Sequence, residues 1–181
     1  MFDFTTASRQ ELQVIWQAIA AETGDDRFFT TRELDVLPQV LAAREQVLAF
    51  SSGLHQGNTW LIVLTDQRIL FLDKGMIFGL KQNSIELDRV NNIESTTGIL
   101  FGKISIGSNA QSYDISEVWK KTVIPFTNKV REAMRARRQG ILMRSPGTHA
   151  TPGADSPSQS SQEAGDILRA SQARLRQAGL A

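Results

Sequence analysis

Few side chains in this 181-residue sequence have the types and spacing that chemistry needs. Its two histidines, His55 and His149, stand far apart, with no His-x-x-x-His pair and no acidic cluster nearby. Neither a zinc site nor a poised general base is expected from them. Cysteine is absent, which removes thiolate ligands, cysteine nucleophiles and disulfide frameworks together. No serine occupies a Gly-x-Ser-x-Gly elbow. Asp66, Asp73 and Asp88 fall at strand ends, where turn chemistry accounts for them. The glycines of Gly75 to Gly79 lack the Lys and Ser/Thr that complete a phosphate loop, and Gly98 and Gly102 suit turn and bulge geometry. This inventory points away from an enzyme and implies no cofactor and no metal.

What remains is contact chemistry. Twenty basic residues against nineteen acidic ones leave a net charge of +1, so no global field marks a polyanion binder. The distribution is uneven: residues 119–144 carry eight basic groups and one acidic, while residues 1–118 carry nine and fifteen. Arg131, Arg135 and Arg138 recur at i, i+4 and i+7, one stripe of a helix. Such a stripe fits an anionic membrane surface or another polyanion. It fits better the plainer reading of cations near a helix C-terminus that complement the helix dipole and pair with the acidic N-terminal segment. Nucleic acid is not expected, because no aromatic residues interleave with the charge after Phe126. Met76, Ile77 and Phe78 place three apolar residues in a connection, either folded onto the core or exposed as a protein-contact patch. Trp16, Trp60 and Trp119 read as core or interface anchors, and His55 as an exposed loop residue.

These residues need elements to hold them. From Ser8 to Thr23, Leu12, Ile15, Trp16 and Ile19 follow helical spacing, and Ser8 with Glu11 forms a capping box. Thr30 with Glu33 repeats that signal before Leu34, Leu37 and Leu41; Pro38 either kinks this stretch or opens a new first turn. From Gln46 the period shortens to apolar runs between turn residues. Strands are predicted near Val47–Ser52, Thr59–Thr65, Arg68–Asp73, Leu80–Leu87, Val90–Thr96, Ile99–Gly107 and Gln111–Ile115, with Asp66-Gln67 and Thr97-Gly98 as tight hairpins. Helical spacing returns after Ile124, with Pro125 in a first turn and Phe126, Val130, Ala133 and Met134 on one face. The chain divides into an N-terminal helical segment, 1–45, packed on a β domain, 46–139. A Pro-, Gly- and Ser-rich linker, 140–165, and a short C-terminal helix, 166–181, follow. No basic leader followed by an apolar run opens the sequence, and no stretch nears the ~18 apolar residues of a membrane span, so a cytoplasmic location is expected.

The runs LTDQRILFLDKG, FGLKQNSIELDRVNNIE and TTGILFGKISI resemble the bacterial pleckstrin-homology-like domains of the YokE-like group. Thr65, Arg68, Gly75, Phe78, Gly79, Leu87, Ile93, Gly98, Gly102 and Ile104 carry the likeness, which extends over about Leu37 to Arg138. It implies a mainly β fold with helices: a seven-stranded antiparallel, partly open barrel of two near-orthogonal sheets, capped by a C-terminal helix and preceded here by N-terminal helices. The tail DILRASQARLRQAGL resembles the front half of the SHOCT oligomerisation module through Leu175, Gly179 and Leu180. Arg169 and Gln172 replace two of its expected leucines, and its acidic second half is missing. Eukaryotic relatives that hold inositol phosphates do so with Lys and Arg in the first inter-strand loop. The equivalent segment, Ser51 to Asn58, has neither. The function expected is therefore a non-enzymatic binding or scaffolding module that contacts a protein partner or itself. Anionic-membrane or polyanion binding through Arg131, Arg135 and Arg138 is the alternative.

Overall fold

Two helices precede the strands in the computed structural model, which describes residues 2–25, 30–75 and 79–143. Helix α1 (Arg9–Thr23) starts with the expected capping box. Ser8 Oγ accepts from Glu11 N at 3.3 Å, and Ser8 N donates to the Glu11 carboxylate at 2.8 Å. Gly24, at φ 73°, ends the helix in the left-handed conformation that glycine adopts without a Cβ penalty.

Helix α2 (Thr31–Val40) differs from its expectation in two ways. Thr30 makes no side-chain cap, standing at φ −123°, ψ 39° instead of in the extended conformation of an N-cap, and the buried Glu33 turns its Oε1 to Lys74 N at 2.9 Å, tying the helix to a strand. One helix also runs through Pro38, so no new first turn opens there. Close to the C-terminus, the proline removes a single helical hydrogen bond.

Seven antiparallel strands follow: β1 (Val47–His55), β2 (Asn58–Thr65), β3 (Arg68–Lys74), β4 (Leu80–Glu86), β5 (Val90–Thr97), β6 (Phe101–Ser108) and β7 (Ser112–Trp119). They form one open sheet in the order β4-β3-β2-β1-β7-β6-β5. The two halves meet at a single residue pair, Leu54 with Ser116. Gly53 makes that crossing possible: a Cβ there would lie 2.4 Å from Ile115 Cγ2 and 2.8 Å from Ser116 O.

The predicted hairpin at Asp66-Gln67 is present, with Leu61 to Leu64 paired antiparallel to Leu72 to Ile69. Strand β1 runs three residues beyond its predicted end. The segment Ser51 to Asn58 is therefore mostly strand, closed by the two-residue turn Gln56-Gly57 with φ of 50° and 81°. Strand β7 likewise continues past Ile115 to Trp119, and β6 begins at Phe101 rather than Ile99. Helix α3 (Lys120–Met143) starts ahead of Pro125 and ends inside the segment read as linker.

Two cores share the sheet. Ile62, Leu64, Ile69, Phe71, Ile85, Leu87, Val90, Ile93, Ile104 and Ile106 line one face and receive Val123, Phe126, Val130 and Met134 of α3. Phe50, Leu61, Val63, Leu70 and Leu72 line the other, covered by Phe4, Trp16, Ala20, Leu34 and Leu37. Burial on both faces explains why β2 and β3 read as continuous apolar runs instead of alternating ones.

A buried ion pair locks the α2–β1 connection to the β2–β3 hairpin. Glu45, whose side chain has no exposed surface, accepts from Arg68 Nε and Nη2, both at 2.9 Å, and from Ala42 N at 2.7 Å. Thr65 Oγ1 lies 2.8 Å from the same carboxylate and accepts from Gln67 N and Arg68 N, and Arg68 also donates to Val40 O at 3.0 Å. Burial alone would push the Glu45 carboxyl up, but hydrogen bonds from Arg68, Ala42 and Thr65 and the Arg68 charge hold it below the usual range.

Candidate docking surface

The candidate contact residues fall in different places. Arg131 and Arg138 lie on α3 beside β5, an end strand of the sheet. Arg131 Nη2 donates to Ile93 O at 3.3 Å and Arg138 Nη2 to Val90 O at 3.5 Å. Both carbonyls lie on one side because a bulge between Val90 and Asn92 shifts the register. These two guanidiniums thus have structural partners on β5, and Arg135 is exposed on the same helix. Met76, Ile77 and Phe78 lie outside the described residues, as do the predicted C-terminal helix and most of the linker.

His55 is not a loop residue. It is the last residue of β1, half-buried, with Nδ1 2.9 Å from Asp114 O, so Nδ1 carries the proton and donates to that carbonyl. Its ring lies 5.8 Å from Trp60 and 5.5 Å from Tyr113, and Tyr113 stacks on Phe71 at 4.1 Å. Burial pushes the Tyr113 hydroxyl pKa up. This aromatic group stands beside the short β1–β2 turn, and the segment from Ser51 to Asn58 carries no Lys or Arg. Among the described residues no group of three or more His, Asp or Glu could hold a metal ion, and no helix is long and apolar enough to cross a membrane.

The surface that the sequence reading passed over is the β5–β6 turn. Gly98 N donates to Phe101 O at 2.8 Å, and a Cβ on Gly98 would meet that same oxygen at 2.6 Å. At Gly102 a Cβ would meet Thr96 O at 2.4 Å and Val123 Cγ2 at 2.9 Å. Ile99 is 89% exposed, Leu100 60% and Phe101 42%.

The start of α3 extends this surface. Lys120 N donates to Leu100 O at 3.1 Å, and Ile124, one helical turn on, is 48% exposed. The half-buried Trp119 sets its ring 5.6 Å from Phe101 in a T-shaped contact. The signal was present in the sequence. Hairpin tips are ordinarily Gly, Asn, Asp or Ser, and three apolar residues directly after Thr97-Gly98 depart from that chemistry.

Residues 41–132, just over half of the chain, match the family model described as "Bacterial PH domain". Among solved structures, the chain is similar to a DUF1696 family protein with a pleckstrin-homology domain from Shewanella loihica. The two share 15% identity over 57% of this chain and 95% of that one, with a TM-score of 0.40. It is also similar to a pleckstrin homology domain from Shewanella amazonensis at 12% identity, over 60% of this chain and 90% of that one, with a TM-score of 0.42. No curated protein matches the sequence. The match begins where α2 gives way to β1 and runs through all seven strands into α3, and on that ground the chain belongs to the bacterial PH domain family.

Proposed function

We propose that the chain is a non-enzymatic docking module, and that it engages another macromolecular surface through the apolar corner of Ile99, Leu100, Phe101, Trp119 and Ile124. The observation that carries this reading is the exposure of Ile99, 89%, at a turn whose neighbours Leu100 and Phe101 are apolar and exposed as well. Leaving such a cluster in water forgoes about 1.5–3 kcal/mol of burial for each large aliphatic or aromatic side chain, a cost that a partner surface relieves. The family supports the reading, since its fold is a general framework for binding.

A photo-crosslinking amino acid placed at Leu100, with Asn83 on exposed β4 as the control position, tests it in cells that make the protein. Adducts formed from position 100 and not from position 83 are expected. Adducts absent from position 100, or equal at both, would refute the assignment of the surface.

A further inference from the structure

We infer that Arg131, Arg135 and Arg138 of α3 form a second docking site, whose occupant is an acidic helix of a partner protein with carboxylates at the same i, i+4, i+7 spacing. The site is separate from the apolar corner and uses none of its residues. Its first support is that the row serves no electrostatic purpose inside the molecule. Cations complement a helix dipole only within the last turn, and α3 runs on to Met143 with no basic residue in that turn. Pairing with the acidic N-terminal segment falls to another residue, Lys129, whose Nζ meets Glu22 at 2.9 Å. Among the described residues none of the three arginines makes an ion pair. Like charges three and four residues apart work against the helix that carries them, and an external anion relieves that repulsion.

The second support is orientation. All three side chains are exposed, and their Cα atoms step along the axis by about 6 and about 4.5 Å. At each end of the row one Nη2 is tethered to a β5 carbonyl, Arg131 to Ile93 O at 3.3 Å and Arg138 to Val90 O at 3.5 Å. The rest of each fork makes no other hydrogen bond among the described residues. A planar guanidinium held this way can meet both oxygens of a carboxylate and has less freedom left to lose on binding. The third support selects the occupant. The exposed residues among and just beyond the arginines include Glu132, Ala136 and Gln139, so no ring offers a nucleobase a stacking platform and no large aliphatic chain an anchor in lipid. A long polyanion would also run off the row onto a body whose residues 1–118 carry nine basic groups and fifteen acidic. Glu132, three residues before Arg135 and without an ion pair among the described residues, repels a uniform polyanion too. A helix with Glu or Asp at i, i+4 and i+7 repeats both steps of the row, ends where it ends, and can set a neutral or basic residue against Glu132.

Fluorescence polarisation of labelled probes with the full chain tests this. The probe is an alanine-rich helical peptide with Glu at i, i+4 and i+7; the controls are the same peptide with Gln at those positions and a single-stranded oligothymidylate of equal charge. The Glu peptide should bind, more weakly as salt rises, and both controls should bind at least about tenfold more weakly. The triple variant Arg131→Gln, Arg135→Gln, Arg138→Gln should lose at least about tenfold in affinity for the Glu peptide. Lysine at all three positions should restore only part of it, since the charge returns without the fork. Arg135→Gln alone leaves both β5 tethers in place, so it reports on binding without disturbing the fold, and a loss of about threefold is expected. A Glu peptide that does not bind, binds no better than its Gln counterpart, or binds the Arg135→Gln and triple variants as tightly as the parent overturns the inference. Oligothymidylate bound as tightly as the Glu peptide overturns the choice of a protein helix.

Discussion

Replacing Arg68 with methionine would strand a carboxylate that has no access to water. Glu45 loses two charge-assisted hydrogen bonds of 2.9 Å and keeps those from Ala42 N and Thr65 Oγ1. Removing one partner of a buried ion pair costs about 3–5 kcal/mol, and the two surviving donors place Arg68→Met near 3 kcal/mol. With a urea slope of about 2 kcal/mol per molar, the unfolding midpoint should fall by about 1.5 M.

The pH dependence carries a sharper signature. In the parent, the Glu45 carboxyl is held below its ordinary 4.5, so its contribution to stability is full above that value and fades as pH falls through the lower folded value. In the variant the Arg68 contributions are gone and burial remains, so the folded-state pKa moves upward and ionisation opposes folding. Urea melts of both proteins from neutrality to below the ordinary carboxyl range should therefore show their stability gap closing with acid. A gap under about 1 kcal/mol at neutrality, or one that does not narrow in acid, would refute this account of the pair.

Three further perturbations follow from the same structure. Gly53→Ala would drive a methyl group into Ile115 and Ser116 O at the β1–β7 crossing, and a loss of about 1–3 kcal/mol is expected in urea unfolding. Phe126→Ala empties a fully buried site between α3 and the sheet and should cost about 3–5 kcal/mol, with a fall in the thermal midpoint as the check. Asp66→Asn keeps an acceptor for Gln46 N while removing a carboxyl that burial pushes above its ordinary 3.8. Ionisation of that group opposes folding once pH exceeds the raised value, so the variant should gain on the parent at neutral pH and lose the gain in acid. Paired melts at the two pH values read this directly.

Local signals were legible where the chain had no competing use for them. The Ser8–Glu11 box needs only its own helix turn, and it forms; at Thr30–Glu33 the backbone leaves the extended N-cap conformation and Lys74 N, distant in sequence, takes the Glu33 carboxylate. The apolar runs of β2 and β3 announce strands buried on both faces. Gly53 fell just past the predicted strand Val47–Ser52, yet the strand continues through it, and β7 crosses where a Cβ would clash, a constraint only tertiary structure imposes. Pro125 looked like a first-turn residue, but α3 had already started at Lys120 and tolerates it in its second turn. Of the docking corner, the residues were visible and the exposure was not. Ile99, Leu100 and Phe101 were absorbed into a strand because an apolar run looks the same at a tip as in a core.

The family match covers residues 41–132, and this boundary runs through the middle of what holds the protein together. Phe50, Leu61, Val63, Leu70 and Leu72 lie inside it, while Phe4, Trp16, Leu34 and Leu37, which keep them dry, lie upstream; Met134 of the other core lies downstream. The stretch that the family model matches is thus shorter than the stretch whose side chains close both cores. A segment excised at 41 and 132 for grafting would carry an uncovered greasy wall, and would behave as a sticky fragment rather than a transplantable module. A cut that respects the physics includes everything from Phe4 through Met134.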